Sequence, residues 1–253
     1  MVVLTPDRDL TTMAADAVAR GADAVGVAGG DGSLALVAAT AVANGLSFAC
    51  VPAGTRNHFA RDLGLDRHDP VSALDAFTDG IERRIDVGEV NGRMFLNNVS
   101  LGIYGEAVHR TRYRSAKLQT LLETANEVLG PSAAVSGLHL VDDQGHEHTD
   151  PVVVLVSNNP YGLDRPSVPG MRPRLDTGQL GIVVLDAPQA GGPPVGCAWS
   201  APMLVLDAPA AVHAGIDGEA ADLTPPLECV IRPAALRVRV PARLSRDLRP
   251  RRP

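Results

Sequence analysis

Residues 23–33 read Asp-Ala-Val-Gly-Val-Ala-Gly-Gly-Asp-Gly-Ser, an apolar run that closes in a glycine-rich turn carrying one carboxylate. Residues 24–28 have the composition of a buried strand, and Leu34 to Asn44 continues as an apolar, alanine-rich helix. A strand, a turn of Gly29, Gly30 and Gly32, then a helix start leave several backbone N–H groups pointing one way without helical partners. Phosphate oxygens are natural partners for such a nest. The carboxylate of Asp31 repels phosphate, so its expected place is on a magnesium ion or that ion's water shell.

Three phosphate-binding signatures compete for this turn. A P-loop is excluded, because no lysine follows the last glycine. Gly30, Gly32 and Ala35 do fit the G-x-G-x-x-A dinucleotide fingerprint, which requires an acidic residue at the end of the next strand. That strand, Ser47 to Val51, runs instead into Pro52-Ala53-Gly54-Thr55-Arg56-Asn57. The dehydrogenase reading weakens accordingly. A plain strand–helix turn without a ligand is the third reading, and the doubled glycine with its embedded aspartate counts against it.

Strand and helix alternate through the first third of the chain. Val2 to Thr5 reads as a strand, and Thr5-Pro6 as an N-cap and first turn. Leu10, Met13, Ala14, Ala17 and Val18 then repeat at helical spacing up to Gly21. A further short helix spans Asp69 to Asp79, closed by Gly80. Such alternation predicts a parallel sheet with helices on its faces. Beyond about Ile81 the pattern changes. Asn91-Gly92 between two strand-like runs is a hairpin signal. One helix follows at about 116–129, then strands at 135–141, 151–157, 180–185, 203–206, 227–232 and 235–240. The expected organisation is an α/β domain over 1–84, an antiparallel β-sandwich over 85–241, and a basic disordered tail over 242–253 holding five arginines.

Charge and composition narrow the function classes. With 23 basic and 29 acidic residues the net charge is −6, against a general nucleic-acid binder. Aromatics at 3% leave little for base stacking. Three widely spaced cysteines show no disulfide or metal pattern, which fits a reducing cytoplasm. No apolar run reaches the roughly 20 residues that span a bilayer. His146 and His148 flank Glu147 beside the turn Asp142-Asp143-Gln144-Gly145, and read as exposed turn histidines rather than metal ligands.

Five segments, in order, resemble the diacylglycerol kinase catalytic-domain family, which includes bacterial lipid kinases and sphingosine kinases and is distantly related to NAD kinases. Gly29-Gly30-Asp31-Gly32-Ser33 is similar to its nucleotide loop. Pro52 to Asn57 with Phe59-Ala60-Arg61-Asp62-Leu63-Gly64 is similar to its second signature. Asn97 to Gly102, Arg172 to Gly178 and Ile216-Asp217-Gly218-Glu219 resemble three further segments. The resemblance covers about residues 2–240. It implies a NAD kinase-like N-terminal domain, a C-terminal sandwich for the lipid, and ATP and Mg2+ as cofactors. By resemblance Asp217 is the catalytic base, Glu219 and Asp31 belong to the magnesium network, and Asp176 lies where the family can hold a structural magnesium. Gly54, Thr55 and Asn57 would touch phosphate, adenine or ribose; loop capping is an equal reading for Thr55 and Asn57. Asp217 and Glu219, two apart, would face one side of an extended segment, and a cleft between the domains would bring Asp31 to Asp217.

Three features depart from the family. His58 stands where aspartate is usual, Leu34-Ala35-Leu36-Val37 where an Asn-Glu pair is usual, and the family's first strand and Asn-Pro-x-Ser-Gly-type loop precede where this chain begins. The assigned start is accordingly read as too late. The expected partners are a lipid at a membrane surface and no nucleic acid, with a homodimer left open. A NAD kinase-like enzyme and a nucleotide- or lipid-binding protein without turnover are the rival readings.

Overall fold

The computed structural model describes residues 9–102, 137–163, 170–186 and 195–244. The strand expected at 2–5 with its Thr5-Pro6 cap, the helix at 116–129 and the arginine-rich end past 244 lie outside the described residues. The chain divides into two compact units, one of 1–85 with 234–253 and one of 86–233. The sequence predicts a second domain over 85–241; residues 234–241 instead belong to the first unit.

In the first unit, helix α1 (Leu10–Ala19) starts at Asp9, whose carboxylate accepts the Thr12 N–H. Strand β1 (Ala24–Gly29) leads into α2 (Asp31–Asn44), which ends at Gly45 in the left-handed region at φ 63°. Strand β2 (Ser47–Pro52) is buried at every position, the pattern of a parallel-sheet strand covered on both faces. It pairs in parallel with β1, Ala24 opposite Ser47 through Gly29 opposite Pro52. Three short helices follow, α3 (His58–Asp62), α4 (Pro70–Ala73) and α5 (Asp75–Thr78). The other neighbour of β2 is the far end of the chain. Arg237, Val238 and Arg239 pair in parallel with Ser47, Phe48 and Ala49. Apolar alternation at Leu236, Val238 and Val240 marks that segment as a strand, but nothing in it names its partner.

Strand β3 (Gly80–Val90) and the last strand each run from one unit into the other. In the second unit β3 turns at Asn91-Gly92, φ 47° and 80°, into β4 (Arg93–Phe95), the tight hairpin that Asn-Gly predicts. After it come β5 (Asn98–Gly102), β6 (His139–Val141), β7 (Glu147–Thr149), β8 (Val153–Asn158), β9 (Leu180–Asp186), β10 (Val195–Ala201), β11 (Met203–Leu206), β12 (Val212–Ile216), β13 (Glu219–Leu223) and β14 (Leu227–Pro241). The last of these joins the two runs read from sequence as separate strands, 227–232 and 235–240. An antiparallel sheet has the order β10-β9-β8-β5-β12-β13. β6 and β7 form a two-stranded sheet, and β11 lies antiparallel to the first part of β14. Val99, Val154, Val156, Ile182 and Val184 of the larger sheet share one core with Leu138, Leu140, Leu204, Leu227 and Cys229.

Candidate active site

In the first unit, two loops leave the same edge of the parallel pair, where ligands bind in sheets of this kind. Ala53 donates its N–H to the Gly29 carbonyl at 3.1 Å, tying one loop to the other. A Cβ on Gly54 would come within 2.3 Å of the Gly30 Cα, so only glycine lets the backbones approach this closely. Gly29 is under the same constraint from Ser33, whose Cβ would lie 2.8 Å away.

Asp31 opens α2, and its carboxylate reaches into the other loop. Its oxygens accept the N–H groups of His58 and Phe59, both at 3.1 Å, in the first turn of α3. The sequence predicts a place for this carboxylate on magnesium; in the fold it also caps α3 and so joins the two signatures. The first helical hydrogen bond of α2 runs from Leu34 N–H to Gly30 C=O, so the N–H groups of Asp31, Gly32 and Ser33 precede the helical ladder. Asn57, buried and at φ 52°, uses both ends of its amide on Gly54, accepting its N–H at 2.9 Å and donating to its carbonyl at 2.8 Å. That is the loop-capping alternative. Thr55, by contrast, is exposed between them.

The second unit holds a different cluster. Asp217 and Gly218 form the two-residue turn between β12 and β13, at φ 51° and 87°, with Ile216 opposite Glu219. The Asp217 side chain turns inward. Its oxygens accept the N–H groups of Leu96 at 2.7 Å, Asn97 at 2.6 Å and Asn98 at 3.1 Å. Arg172, fully buried, donates to the carbonyls of Leu96 at 2.6 Å, Asn97 at 3.3 Å and Asn158 at 2.8 Å, and to the Asn97 side chain at 2.8 Å. Residues 96 and 97 therefore lie between a buried carboxylate and a buried guanidinium. Burial pushes the Asp217 pKa up to about 6, against the lowering pull of three N–H donors and of Arg172.

Other parts of the network are equally enclosed. Asn158 donates to the carbonyls of Asp86 and Leu96, Asp86 accepts the Gly178 N–H at 2.7 Å, and Asn159 accepts from the backbone and hydroxyl of Thr177. Asp86 is absent from the sequence-based candidates; its one sequence signal is an acid set between the apolar Ile85 and Val87. Glu219 is exposed on β13. Asp217 is the first residue of the turn and Glu219 opens β13 beyond it, so the two do not share one face of an extended strand. Asp176 is exposed and pairs with Arg174 at 2.9 Å. Neither Glu219 nor Asp176 takes part in the contacts of the Asp217 carboxylate given above.

These loops and turns carry the five motifs read from the sequence. A probable lipid kinase, YegS-like, from Pseudomonas aeruginosa is 31% identical over 256 residues, covering 93% of this chain and 82% of that protein. The chain belongs to the diacylglycerol kinase catalytic-domain family. Residues 1–90 match the diacylglycerol kinase catalytic domain itself. A diacylglycerol kinase of Bacillus subtilis is 36% identical over 121 residues, 45% of this chain but only 37% of that protein, so this match spans little more than a third of the relative's length. Among solved structures, a diacylglycerol kinase from Bacillus anthracis superposes with a TM-score of 0.67, covering 95% of this chain and 85% of that one at 19% identity. That likeness is one of fold: a mixed sheet with helices, and antiparallel sheets. Among the described residues of this family member, no helix is long and apolar enough to cross a membrane.

Proposed function

We propose that this chain is an ATP-dependent lipid kinase that moves the γ-phosphate to a lipid hydroxyl such as that of diacylglycerol. The observation that carries the reading is the pair of glycine loops joined by Asp31 at the edge of β1 and β2. Phosphate contact needs backbone N–H groups without intervening side chains, and Gly29, Gly30, Gly32 and Gly54 supply that bareness. A carboxylate offers about four lone-pair sites. Asp31 uses two on α3, which leaves room for a hard cation or its water shell. Magnesium held there would neutralise phosphate charge during transfer.

Asp217 is assigned the role of base. Its carboxyl titrates near 6, close to the pH at which a base is both ionised at neutrality and able to take a proton. The hydrogen bonds from residues 96–98 fix its orientation, and the hydroxyl proton of the acceptor lipid would pass to a carboxylate oxygen. Glu219 and Asp176 are further candidates for magnesium contact, Ser33 and Thr55 for nucleotide contact. A cytoplasmic protein meeting its lipid at a membrane surface fits this chemistry.

The test is transfer of label from ATP, with magnesium, into diacylglycerol in mixed micelles. Asp217→Asn is expected to lower transfer by roughly a hundred- to ten-thousand-fold while ATP still binds. Label appearing in no lipid, with ATP bound, would overturn the kinase reading; label appearing in a pyridine dinucleotide instead would favour the NAD kinase-like alternative.

A further inference from the structure

Apart from this chemistry, the second unit gathers a second set of ionisable side chains. His148 is the inward-facing residue of β7, Asp142 follows β6, and Cys197 lies on β10, the edge strand of the six-stranded sheet. One donor atom from each lies within 4.8 Å of both others. The His148 Nε2 is 3.7 Å from an Asp142 oxygen and 3.7 Å from the Cys197 sulfur. The first distance is too long for a hydrogen bond. Both match the roughly 3.3–3.8 Å separation of ligand atoms around a tetrahedral zinc ion with bonds of about 2.0–2.3 Å.

The second nitrogen of the same ring points to the same conclusion. His148 Nδ1 is 2.8 Å from an Asp186 oxygen on β9. A carboxylate on Nδ1 keeps the proton there and leaves the Nε2 lone pair facing Asp142 and Cys197, the outer-shell arrangement that orients metal-binding imidazoles. Trp199 stacks on the ring at 6.2 Å between centroids and 12° between planes, which holds its plane. His146 Nδ1, 3.1 Å from the same Asp142 oxygen, borders the set on its exposed side. The sequence reading of His146 and His148 as exposed turn histidines holds for the first; the second is buried.

We propose that Asp142, His148 and Cys197 bind a thiophilic divalent cation of the zinc type, clipping the β6–β7 hairpin to the edge of the six-stranded sheet. Thiolate, imidazole and one carboxylate select zinc or cobalt over magnesium, which takes oxygen ligands. The site is thus separate from any magnesium that accompanies ATP. Metal entry forms the metal–sulfur bond as the thiol proton leaves to solvent.

The experiment titrates the purified, chelator-treated full chain with Zn2+ and with Co2+ in excess Mg2+. Expected are one equivalent bound at micromolar affinity or tighter, about one proton released per metal, and a sulfur-to-cobalt charge-transfer band. Cys197→Ser should abolish the band and weaken binding at least a hundredfold, and His148→Gln should weaken it similarly. His213→Ala, which removes another His–Asp pair of this unit, should leave binding unchanged. The cobalt spectrum of the unaltered chain tests the ligand set even where a variant folds poorly. No stoichiometric binding, a bound cobalt without the thiolate band, or equal affinity in Cys197→Ser would each overturn the proposal.

Discussion

The two units build their candidate sites by opposite means. In the first, side chains are removed: Gly30 and Gly54 bring backbone against backbone, and the carboxylate that joins the loops, Asp31, is partly exposed. In the second, charge is buried: Asp217, Arg172 and Asp86 lie inside the unit, satisfied by peptide groups of residues far away in sequence. The first arrangement tolerates little added volume, whereas the second tolerates little loss of a polar partner.

The largest effect should come from removing a partner in the second unit. Arg172→Leu removes a buried guanidinium that donates to the carbonyls of Leu96, Asn97 and Asn158, and is expected to destabilise by about 3–5 kcal/mol. Hydrogen exchange should show the amides of 96–98 losing protection while those of β1 keep theirs. Equal loss in both would mean that the units do not respond separately.

Titration of Asp217 comes next. The folded carboxyl holds its proton up to about pH 6, whereas the ordinary value is 3.8. Between these values the native state binds more protons than the unfolded one, so stability falls as pH rises from about 4 to about 6 and then levels. Activity moves the other way, because the base must be ionised. We expect kcat/KM to fall about tenfold per pH unit below 6. A profile flat down to pH 5 would remove Asp217 from the role of base.

Added volume in the first unit should matter less for stability and more for nucleotide affinity. Gly54→Ala forces its Cβ against the Gly30 backbone at 2.3 Å and is expected to cost about 1–3 kcal/mol, with weakened ATP binding by calorimetry. Gly30→Ala meets Gly54 at 3.4 Å, an ordinary contact, and should be milder. If the two variants bind ATP equally well, the close approach is not what shapes the loop. The smallest effect belongs to the surface. Glu82→Gln removes the Arg237 pair between β3 and β14, and thermal unfolding should change near the limit of detection.

How far the sequence reached follows the same division. Backbone-driven features were legible: the Gly-Gly-Asp-Gly turn into α2, the Asn91-Gly92 hairpin, and the buried run of β2, because local conformation dictates residue type there. The Asp217–Gly218 turn carries the same kind of signal, since an Asp-Gly pair by itself reads as a surface turn; its burial and its partners at 96–98 are what the sequence does not show. The buried face of His148 gave no sign in an H-x-H beside a polar turn, since burial depends on β9 and β10, some forty to fifty residues later.

By itself the sequence determined the family motifs, the strand–turn–helix that opens them and the glycines that permit it, since these depend on φ, ψ and contact between neighbours along the chain. Only the tertiary structure decided that Asp31 caps α3, that β14 returns to flank β2, and that Arg172 and Asp217 hold residues 96–98 between them. Each of these joins groups separated by tens to hundreds of residues, and the hydrogen bonds that satisfy a buried charge are fixed by which strands meet, a choice no local preference encodes.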